Sequence, residues 1–307
     1  MKIAVIGAGG VGGYFGGRLA KAGNDVTFVA RGAQLKAMQK HGLKVNSISG
    51  NFEINPVKVT DNFRVIHDPG LIILGVKAWQ VKEVAVSLRP VLVDETIILP
   101  LQNGISAVEE LKEVVEGHHV IGGLCRIISR IEAPGVISHE GVEPTIIFGE
   151  TDNNRSERIL TIKKLFDAAG FSSIIAQDIH AELWKKFISI CSGGLLALSR
   201  SSYGAVRENS YTRKMMTELL TEIYEIALKE EVNLEPGIVG RMIRFIDTLP
   251  YQSMASLARD VMEGRPSEID YQNGTVVSLG EKHHIDTPVN RFVYSCILPM
   301  EQKARKQ

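Results

Sequence analysis

The feature that most constrains the fold of this chain is a glycine-rich turn near its N-terminus. The turn consists of Gly7, Ala8, Gly9, Gly10, Val11 and Gly12. A short apolar run precedes it at residues 2–6, a helical pattern follows at residues 14–23, and a second apolar run covers residues 25–30. Strand, glycine turn, helix and strand in this order predict a dinucleotide-binding βαβ unit, and the alternative is a turn with a structural role only.

Each glycine at a fixed place in this turn has a predicted part in binding. Gly7 allows the tight turn out of the strand, Gly9 lets the backbone approach a pyrophosphate, and Gly12 lets the helix lie close to the sheet. The N-terminus of the helix adds unpaired N–H groups and the positive end of the helix dipole. We therefore expect the whole turn, with Ala8, Gly10 and Val11, to bind a dinucleotide.

The residue after the second apolar run selects the cofactor. An acidic side chain at this place would bind a ribose 2′-hydroxyl, but the chain has Arg31 there. A guanidinium group suits a 2′-phosphate, with which it forms charge-assisted hydrogen bonds. The sequence therefore predicts NADP rather than NAD, and the alternative is an ordinary surface arginine.

Strands and helices alternate through the first half of the chain. Apolar runs at residues 71–76 and 96–101 are typical of buried parallel strands. Residues 136–139 and 144–149 are expected to form an antiparallel pair. The alternation predicts an α/β fold with a doubly wound sheet of the Rossmann type, which forms a nucleotide-binding domain over residues 1–178.

From residue 179 onward the pattern is almost entirely helical. The predicted helices cover residues 181–198, 210–231, 236–247, 253–262, 267–282 and 288–303. Their apolar positions recur at helical spacing, which predicts an all-α domain over residues 179–307. The apolar faces leave a homodimer open as an alternative to a monomer.

Two polar residues follow the buried strands of the predicted sheet. Lys77 comes after the run at residues 71–76, and Asn103 comes after the run at residues 96–101. Ligands of open α/β sheets bind beyond the carboxyl ends of the strands. We therefore expect Lys77 and Asn103 to lie near the cofactor, although strand ends also carry polar residues for structural reasons.

Composition narrows the classes of partner. The chain has 307 residues with 35 basic and 35 acidic side chains, a balance that gives no support to a nucleic-acid or anionic-membrane partner. The first residues lead directly into a strand, and no apolar run approaches the ~18 residues of a membrane span. A cytoplasmic protein is the expectation.

The residues that commonly bind metals are scattered. Cys125, Cys191 and Cys296 lie far apart, without the spacing of a disulfide framework or a C-x-x-C site. Histidine pairs occur at residues 118–119 and 283–284, again without metal-ligand spacing. The sequence therefore predicts no metal site.

Hydride transfer from a reduced nicotinamide to a carbonyl needs a general acid, because the carbonyl oxygen must gain a proton. Lys185 and Lys186 lie on an otherwise apolar helix at the predicted domain boundary. Glu268 falls in the first turn of the helix predicted at residues 267–282, where its charge suits the helix dipole. The alternative interpretations assign no catalytic role: the two lysines lie on a solvated helix face, and Glu268 only caps its helix.

These stretches together resemble the 2-dehydropantoate 2-reductase family, also called ketopantoate reductase, over essentially the whole chain. The matching stretches are residues 7–12, Arg31, and residues 76–80, 102–104, 183–186, 264–270 and 273–274. The resemblance implies NADPH-dependent reduction of 2-dehydropantoate to (R)-pantoate, a step toward pantothenate and coenzyme A. It also implies a Rossmann domain, a helical C-terminal domain of the 6-phosphogluconate dehydrogenase type, and a cleft between them.

The resemblance also implies roles for single residues. Lys186 matches the lysine that protonates the ketone oxygen, and Glu268 matches the acidic residue that holds this lysine and the substrate. Ser256 matches a serine that contacts the substrate carboxylate. Lys77 and Asn103 match residues at the nicotinamide, where Asn103 also meets the substrate. Lys185 leaves a one-residue ambiguity for the acid, and the spacing from the preceding tryptophan favours Lys186.

The chain departs from the family on the helix of Lys186. Members with established ketopantoate chemistry usually carry asparagines where this chain has Ile190 and Gly194. The loss of two amides removes hydrogen-bond partners for a polar substrate, and residues 192–194 are expected to open space instead. Two alternatives follow: a reductase of a different 2-oxo acid with a bulkier apolar group, and an NADP-binding sensor without efficient turnover.

Overall fold

The computed structural model describes residues 1–306, and the chain divides into two compact units. The first unit comprises Met1–Gln102 and Ser106–Ile179, and the second comprises Asn103–Ile105 and His180–Gln307. The short segment Asn103–Ile105 therefore belongs to the helical unit. The predicted division of the chain after residue 178 places this segment in the nucleotide-binding domain instead. Ile105 of this segment packs against the hydrophobic core of the second unit.

The first unit contains two five-stranded sheets and the helices that cover them. Its strands are β1 (Lys2–Ile6), β2 (Asp25–Val29), β3 (Leu43–Ser47), β4 (Phe52–Ile54), β5 (Lys58–Thr60), β6 (Leu71–Leu74), β7 (Ile97–Pro100), β8 (Gly122–Ala133), β9 (Val136–Gly149) and β10 (Ser172–Ile175). Its helices are α1 (Gly10–Lys21), α2 (Gly32–His41), α3 (Val81–Leu88), α4 (Ala107–Lys112) and α5 (Glu157–Ala168).

The first sheet is the predicted parallel sheet. Its strand order is β5-β2-β1-β6-β7, and every neighbouring pair is parallel. Strands β6 and β7 are buried along their whole length, as their continuous apolar runs require. The Rossmann-type fold predicted for this half of the chain is thereby confirmed.

The second sheet differs from the prediction. Residues 136–149 form the single strand β9, so the expected antiparallel pair within this stretch is wrong. The antiparallel partner of β9 is β8, and the pairing shifts register between Arg126 and Ile128. The polar residues around Gly141, which resemble a hairpin turn in the sequence, therefore belong to an irregular stretch of a long ladder.

Helix α1 packs between the two sheets through adjacent glycines. A Cβ atom on Gly16 would lie 2.6 Å from the ring of Phe28 in β2. A Cβ atom on Gly17 would lie 3.0 Å from the ring of Phe52 in β4. Each glycine thus allows α1 to pack closely on a different sheet. This packing fixes the position of α1, whose N-terminus follows the glycine turn.

The second unit is built from helices around one hydrophobic core. Its α-helices are α6 (Ile179–Ser199), α7 (Tyr203–Glu208), α8 (Ser210–Lys229), α9 (Ile238–Thr248), α10 (Ser256–Met262), α11 (Thr275–His283) and α12 (Pro288–Ala304), with a π-helical turn at Asp270–Gly274. The predicted all-α character is confirmed. No helix within residues 1–306 combines enough length with a sufficiently apolar run to span a bilayer.

The stretch predicted as one helix at residues 267–282 is divided. A π-helical turn at Asp270–Gly274 precedes α11, and Gly274 donates its N–H to the carbonyl of Ile269 at 2.9 Å. Glu268 lies before this turn, so its predicted place in the first turn of a helix is wrong. The position of Glu268 depends on contacts with residues distant in the sequence, and helical periodicity gives no information about such contacts.

Candidate active site

The glycine turn leads from β1 into the open N-terminus of α1. Gly7 has a φ of +96°, and a Cβ atom there would lie 2.9 Å from the backbone of Gly75, so only glycine fits. Gly9 is the N-cap residue, and a Cβ atom there would meet nothing within 4 Å. Within residues 1–306 no side chain caps this helix, and its first turn carries no acidic residue. The N–H groups of the turn are therefore placed to bind an anion.

The remaining residues of the turn are packed rather than open. A Cβ atom on Gly12 would lie 2.0 Å from the carbonyl oxygen of Gly7, and one on Gly10 would lie 2.6 Å from that of Ser129. Ala8 is buried and Val11 is half-buried. The turn thus combines close packing with one open position at Gly9, which fits the phosphates of a dinucleotide.

Arg31 follows β2 and is the N-cap residue of α2. Its guanidinium lies 3.7 Å from the carboxylate of Glu83, and both side chains are exposed. An exposed pair of this kind contributes little to stability, so the guanidinium can exchange this partner for another anion. Arg31 thus presents an exposed guanidinium after the second strand of the parallel sheet.

Gln34 of α2 is a residue that the sequence did not single out. Its Nε2 donates to the carbonyl of Ala8 at 2.8 Å, and its Oε1 accepts from the N–H of Gly135 at 2.9 Å. The side chain thus ties the glycine turn to the connection between β8 and β9. One glutamine in an amphipathic helix carries no sequence signal for such a role.

Polar groups also follow the ends of β6 and β7. Lys77 lies half-buried, with its ammonium 5.7 Å from the centre of the Trp79 ring. Buried Gln102 donates from Nε2 to the carbonyl oxygens of Leu74, at 2.9 Å, and Val76, at 3.1 Å. Gln102 therefore fixes the backbone that leads to Lys77.

In the second unit, Asn103 and Glu268 form a hydrogen bond. Asn103 donates from Nδ2 to Oε2 of Glu268 at 3.1 Å, and Glu268 is buried. The structure therefore brings together two residues that the sequence singled out separately. A buried carboxylate next to an amide is able to orient a polar ligand and to influence a neighbouring ammonium group.

The two lysines of α6 have different surroundings. The ammonium of Lys185 lies 2.9 Å from the carboxylate of Glu182 and 4.0 Å from that of Glu235. Lys186 is half-buried and points about 100° around the helix from Lys185, as successive helical residues do. Ser256, the other predicted contact of the substrate, is exposed at the first residue of α10.

The glycines beyond Lys186 do not open space, contrary to the prediction. A Cβ atom on Gly194 would lie 2.3 Å from Oδ1 of Asn273, and one on Gly193 would lie 2.9 Å from the Cβ of Ala255. The two glycines instead let α6 pack closely on the segments that carry these residues. Only Ile190, which is half-buried, remains as the apolar substitute for a family asparagine.

Comparison with known proteins identifies the family. The family model described as "Ketopantoate reductase PanE/ApbA" matches residues 3–153, and the model described as "Ketopantoate reductase PanE/ApbA C terminal" matches residues 178–301. This chain belongs to the ketopantoate reductase family. The resemblance drawn from the motifs is thus confirmed, and the chain is an oxidoreductase of a family that uses a pyridine nucleotide and small 2-oxo acids.

Two individual proteins and one solved structure are similar to this chain over nearly its full length. The Bacillus subtilis protein named "Uncharacterized oxidoreductase YkpB" is 31% identical over 296 residues, with 96% of this chain and 97% of that protein covered. A 2-dehydropantoate 2-reductase of Pyrococcus abyssi is 31% identical over 304 residues, with 97% of each covered. A D-mandelate dehydrogenase, solved with NADH and anilino(oxo)acetate, shares the fold with a TM-score of 0.91 and 22% identity, over 99% of this chain and 100% of that one.

Proposed function

We propose that this member of the ketopantoate reductase family reduces 2-dehydropantoate to (R)-pantoate with NADPH, as a step toward pantothenate and coenzyme A. The observation that carries the proposal is the uncapped N-terminus of α1 at Gly9, where a Cβ atom would meet nothing within 4 Å. This open position and its N–H groups fit a pyrophosphate. The bound nucleotide supplies the hydride.

The choice of NADPH rests on Arg31. Its guanidinium is exposed at the end of β2 and has Glu83 as an ion-pair partner at 3.7 Å. A doubly charged 2′-phosphate accepts two hydrogen bonds from a guanidinium and competes well with a single exposed carboxylate. A bare 2′-hydroxyl would gain little from the same group.

Lys186 is assigned the role of general acid. The spacing from Trp184 favours Lys186 over Lys185, whose ammonium lies 2.9 Å from the carboxylate of Glu182 and 4.0 Å from that of Glu235. In this proposal Lys186 gives a proton to the ketone oxygen, and Glu268 holds the lysine and the substrate. The hydrogen bond from Asn103 to Glu268 supports the assignment, because it fixes a buried carboxylate in one orientation. Ser256 is proposed to bind the substrate carboxylate.

A second candidate function keeps the chemistry and changes the substrate. Ile190 is apolar and Gly194 has no room for a side chain, so neither position offers an amide to a substrate hydroxyl. This favours a 2-oxo acid with a bulkier apolar group. The name of the D-mandelate dehydrogenase that shares the fold points to such a substrate for that protein.

Steady-state oxidation of NADPH tests both candidates. The purified protein is offered 2-dehydropantoate, trimethylpyruvate and phenylglyoxylate, and kcat/KM is compared among the three. Highest turnover with 2-dehydropantoate supports the first candidate, and strong preference for either apolar acid supports the second. Tight NADPH binding without turnover of any 2-oxo acid would contradict both and leave an NADP-binding sensor.

A further inference from the structure

A buried carboxylate anchors the residue next to Glu268. Oε2 of Glu301 accepts the backbone N–H of Ser267 at 2.8 Å and its hydroxyl at 2.6 Å. Ser267 is 0% exposed and Glu301 is 2% exposed. Glu301 lies in α12, near the end of the chain, so this contact joins segments far apart in sequence.

Arg305 completes the anchor. Its Nε lies 2.6 Å from Oε1 of Glu301, one turn earlier in α12, and its Nη2 donates to the carbonyl of Ser267 at 3.3 Å. The backbone N–H, the carbonyl and the hydroxyl of Ser267 are thus all bonded to one ion pair. A buried charge is costly unless it is paired, so a change at Glu301 should disturb the position of Ser267.

A second buried anchor follows Glu268 in the chain. Asn273 is 0% exposed, and its Nδ2 donates to the carbonyl of Cys191 in α6 at 3.2 Å and to Oδ1 of Asn290 at 2.9 Å. Glu268 therefore lies on a short segment that is bonded to α12 at Ser267 and to both α6 and α12 at Asn273. Both ends of the segment are fixed by side chains that the proposed chemistry does not use.

We propose that Glu301 is a positioning residue, which acts through Ser267 to hold the carboxylate of Glu268 in its working place. The inference rests on the proposed function, in which Glu268 holds the lysine and the substrate. A displacement of about 1 Å at a catalytic group lowers turnover by up to about 100-fold, so an adjacent anchor affects the rate. The competing explanation is an anchor that only stabilises the fold.

A double-mutant cycle separates these explanations. Glu301→Gln should lower kcat about tenfold through misplacement of Glu268, with the KM for NADPH unchanged. In a Glu268→Gln background the same substitution should have no further effect on kcat, because the carboxylate that it positions is gone. Ser267→Ala, which removes only the hydroxyl bond, provides a milder second variant for the same cycle if Glu301→Gln does not fold.

Glu150 supplies a matched control in the first unit. It too is a buried glutamate that accepts from a serine and an arginine, Ser156 and Arg158. Glu150→Gln should lower stability and leave kcat unchanged per folded molecule. Effects of Glu301→Gln that multiply with those of Glu268→Gln, or wild-type kcat in both anchor variants, would overturn the positioning role alone. Absence of turnover in the unsubstituted protein would overturn the proposed function together with this role.

Discussion

Asn103 donates a hydrogen bond from its amide to the buried carboxylate of Glu268, 165 positions further along the chain. Replacing Asn103 with aspartate would place two carboxylates within hydrogen-bonding distance, and their repulsion should disturb Glu268. We expect Asn103→Asp to lower both kcat and Tm more than Asn103→Ala, which removes the bond without adding charge. Steady-state kinetics and thermal unfolding of the two variants check this, and equal effects would contradict it.

Substitution of Lys185 provides a matched control for substitution of the adjacent Lys186. Lys186→Ala should lower kcat by about 10²–10⁴-fold, the usual contribution of a general acid, and should leave NADPH affinity nearly unchanged. Lys185→Ala removes the ion pairs with Glu182 and Glu235 and should retain most turnover. Kinetics with the preferred 2-oxo acid and titration with NADPH measure both effects. A large loss of turnover in Lys185→Ala alone would move the role of acid to Lys185.

Arg31 and its partner Glu83 should act on NADPH affinity in opposite directions. Arg31→Ala should weaken NADPH by roughly 10–100-fold, as expected for the loss of hydrogen bonds to a charged phosphate, and should affect NADH far less. Glu83→Gln removes the competing carboxylate at 3.7 Å and should tighten NADPH slightly. Fluorescence titrations with both nucleotides check this prediction. Equal losses of NADPH and NADH affinity in Arg31→Ala would refute the phosphate contact.

Position 190 should influence substrate choice, whereas position 194 should not accept a side chain. Ile190→Asn should raise the kcat/KM ratio of 2-dehydropantoate to trimethylpyruvate by roughly tenfold or more, because these acids differ mainly in one hydroxyl. Gly194→Asn should lower stability by about 1–3 kcal/mol through overpacking, since Asn273 and Val293 occupy the space. An unchanged ratio in Ile190→Asn would show that the side chain does not meet the substrate.

Glu150 should contribute to acid stability. Burial raises the pKa of this carboxyl, but hydrogen bonds from Arg158 and Ser156 together outweigh burial, so that the pKa is lowered from its ordinary value of 4.5. A lowered pKa contributes stability above the unfolded value, and this contribution is lost as the pH falls through the folded value. We expect the stability difference between the wild type and Glu150→Gln to shrink below pH 4.5. Denaturant unfolding across this range checks it, and a constant difference would contradict the assignment.

The parts of the structure that local sequence determines were predictable. The turn at Gly7 and Gly9, the parallel sheet and the helical half follow from spacing and apolar periodicity within short windows. The open N-terminus of α1 and the exposed Arg31 after β2 lie where the pattern indicates. These features could be predicted because their sequence signals lie within short stretches of the chain, even where the strands that pair are far apart.

The parts that depend on distant partners were not predictable. Nothing in the local sequence shows that Glu301 bonds to Ser267, or that Asn273 fills the space over Gly194. The glycines of α6 suggest room for a substrate. Asn273 occupies this space instead, and it belongs to a π-helical turn that helical periodicity does not predict. Glu268 was placed in a helix for the same reason.

The central claim, hydride transfer from NADPH to a 2-oxo acid, is tested most directly by isotope transfer. The purified protein is incubated with 2-dehydropantoate and NADPH that carries deuterium at the transferred position of its nicotinamide, and the product is examined by mass spectrometry. The proposal predicts pantoate with one deuterium on the carbon that bore the ketone, formed by the wild type and almost absent with Lys186→Ala. Unlabelled pantoate, or no pantoate while an apolar 2-oxo acid is reduced in its place, would contradict it.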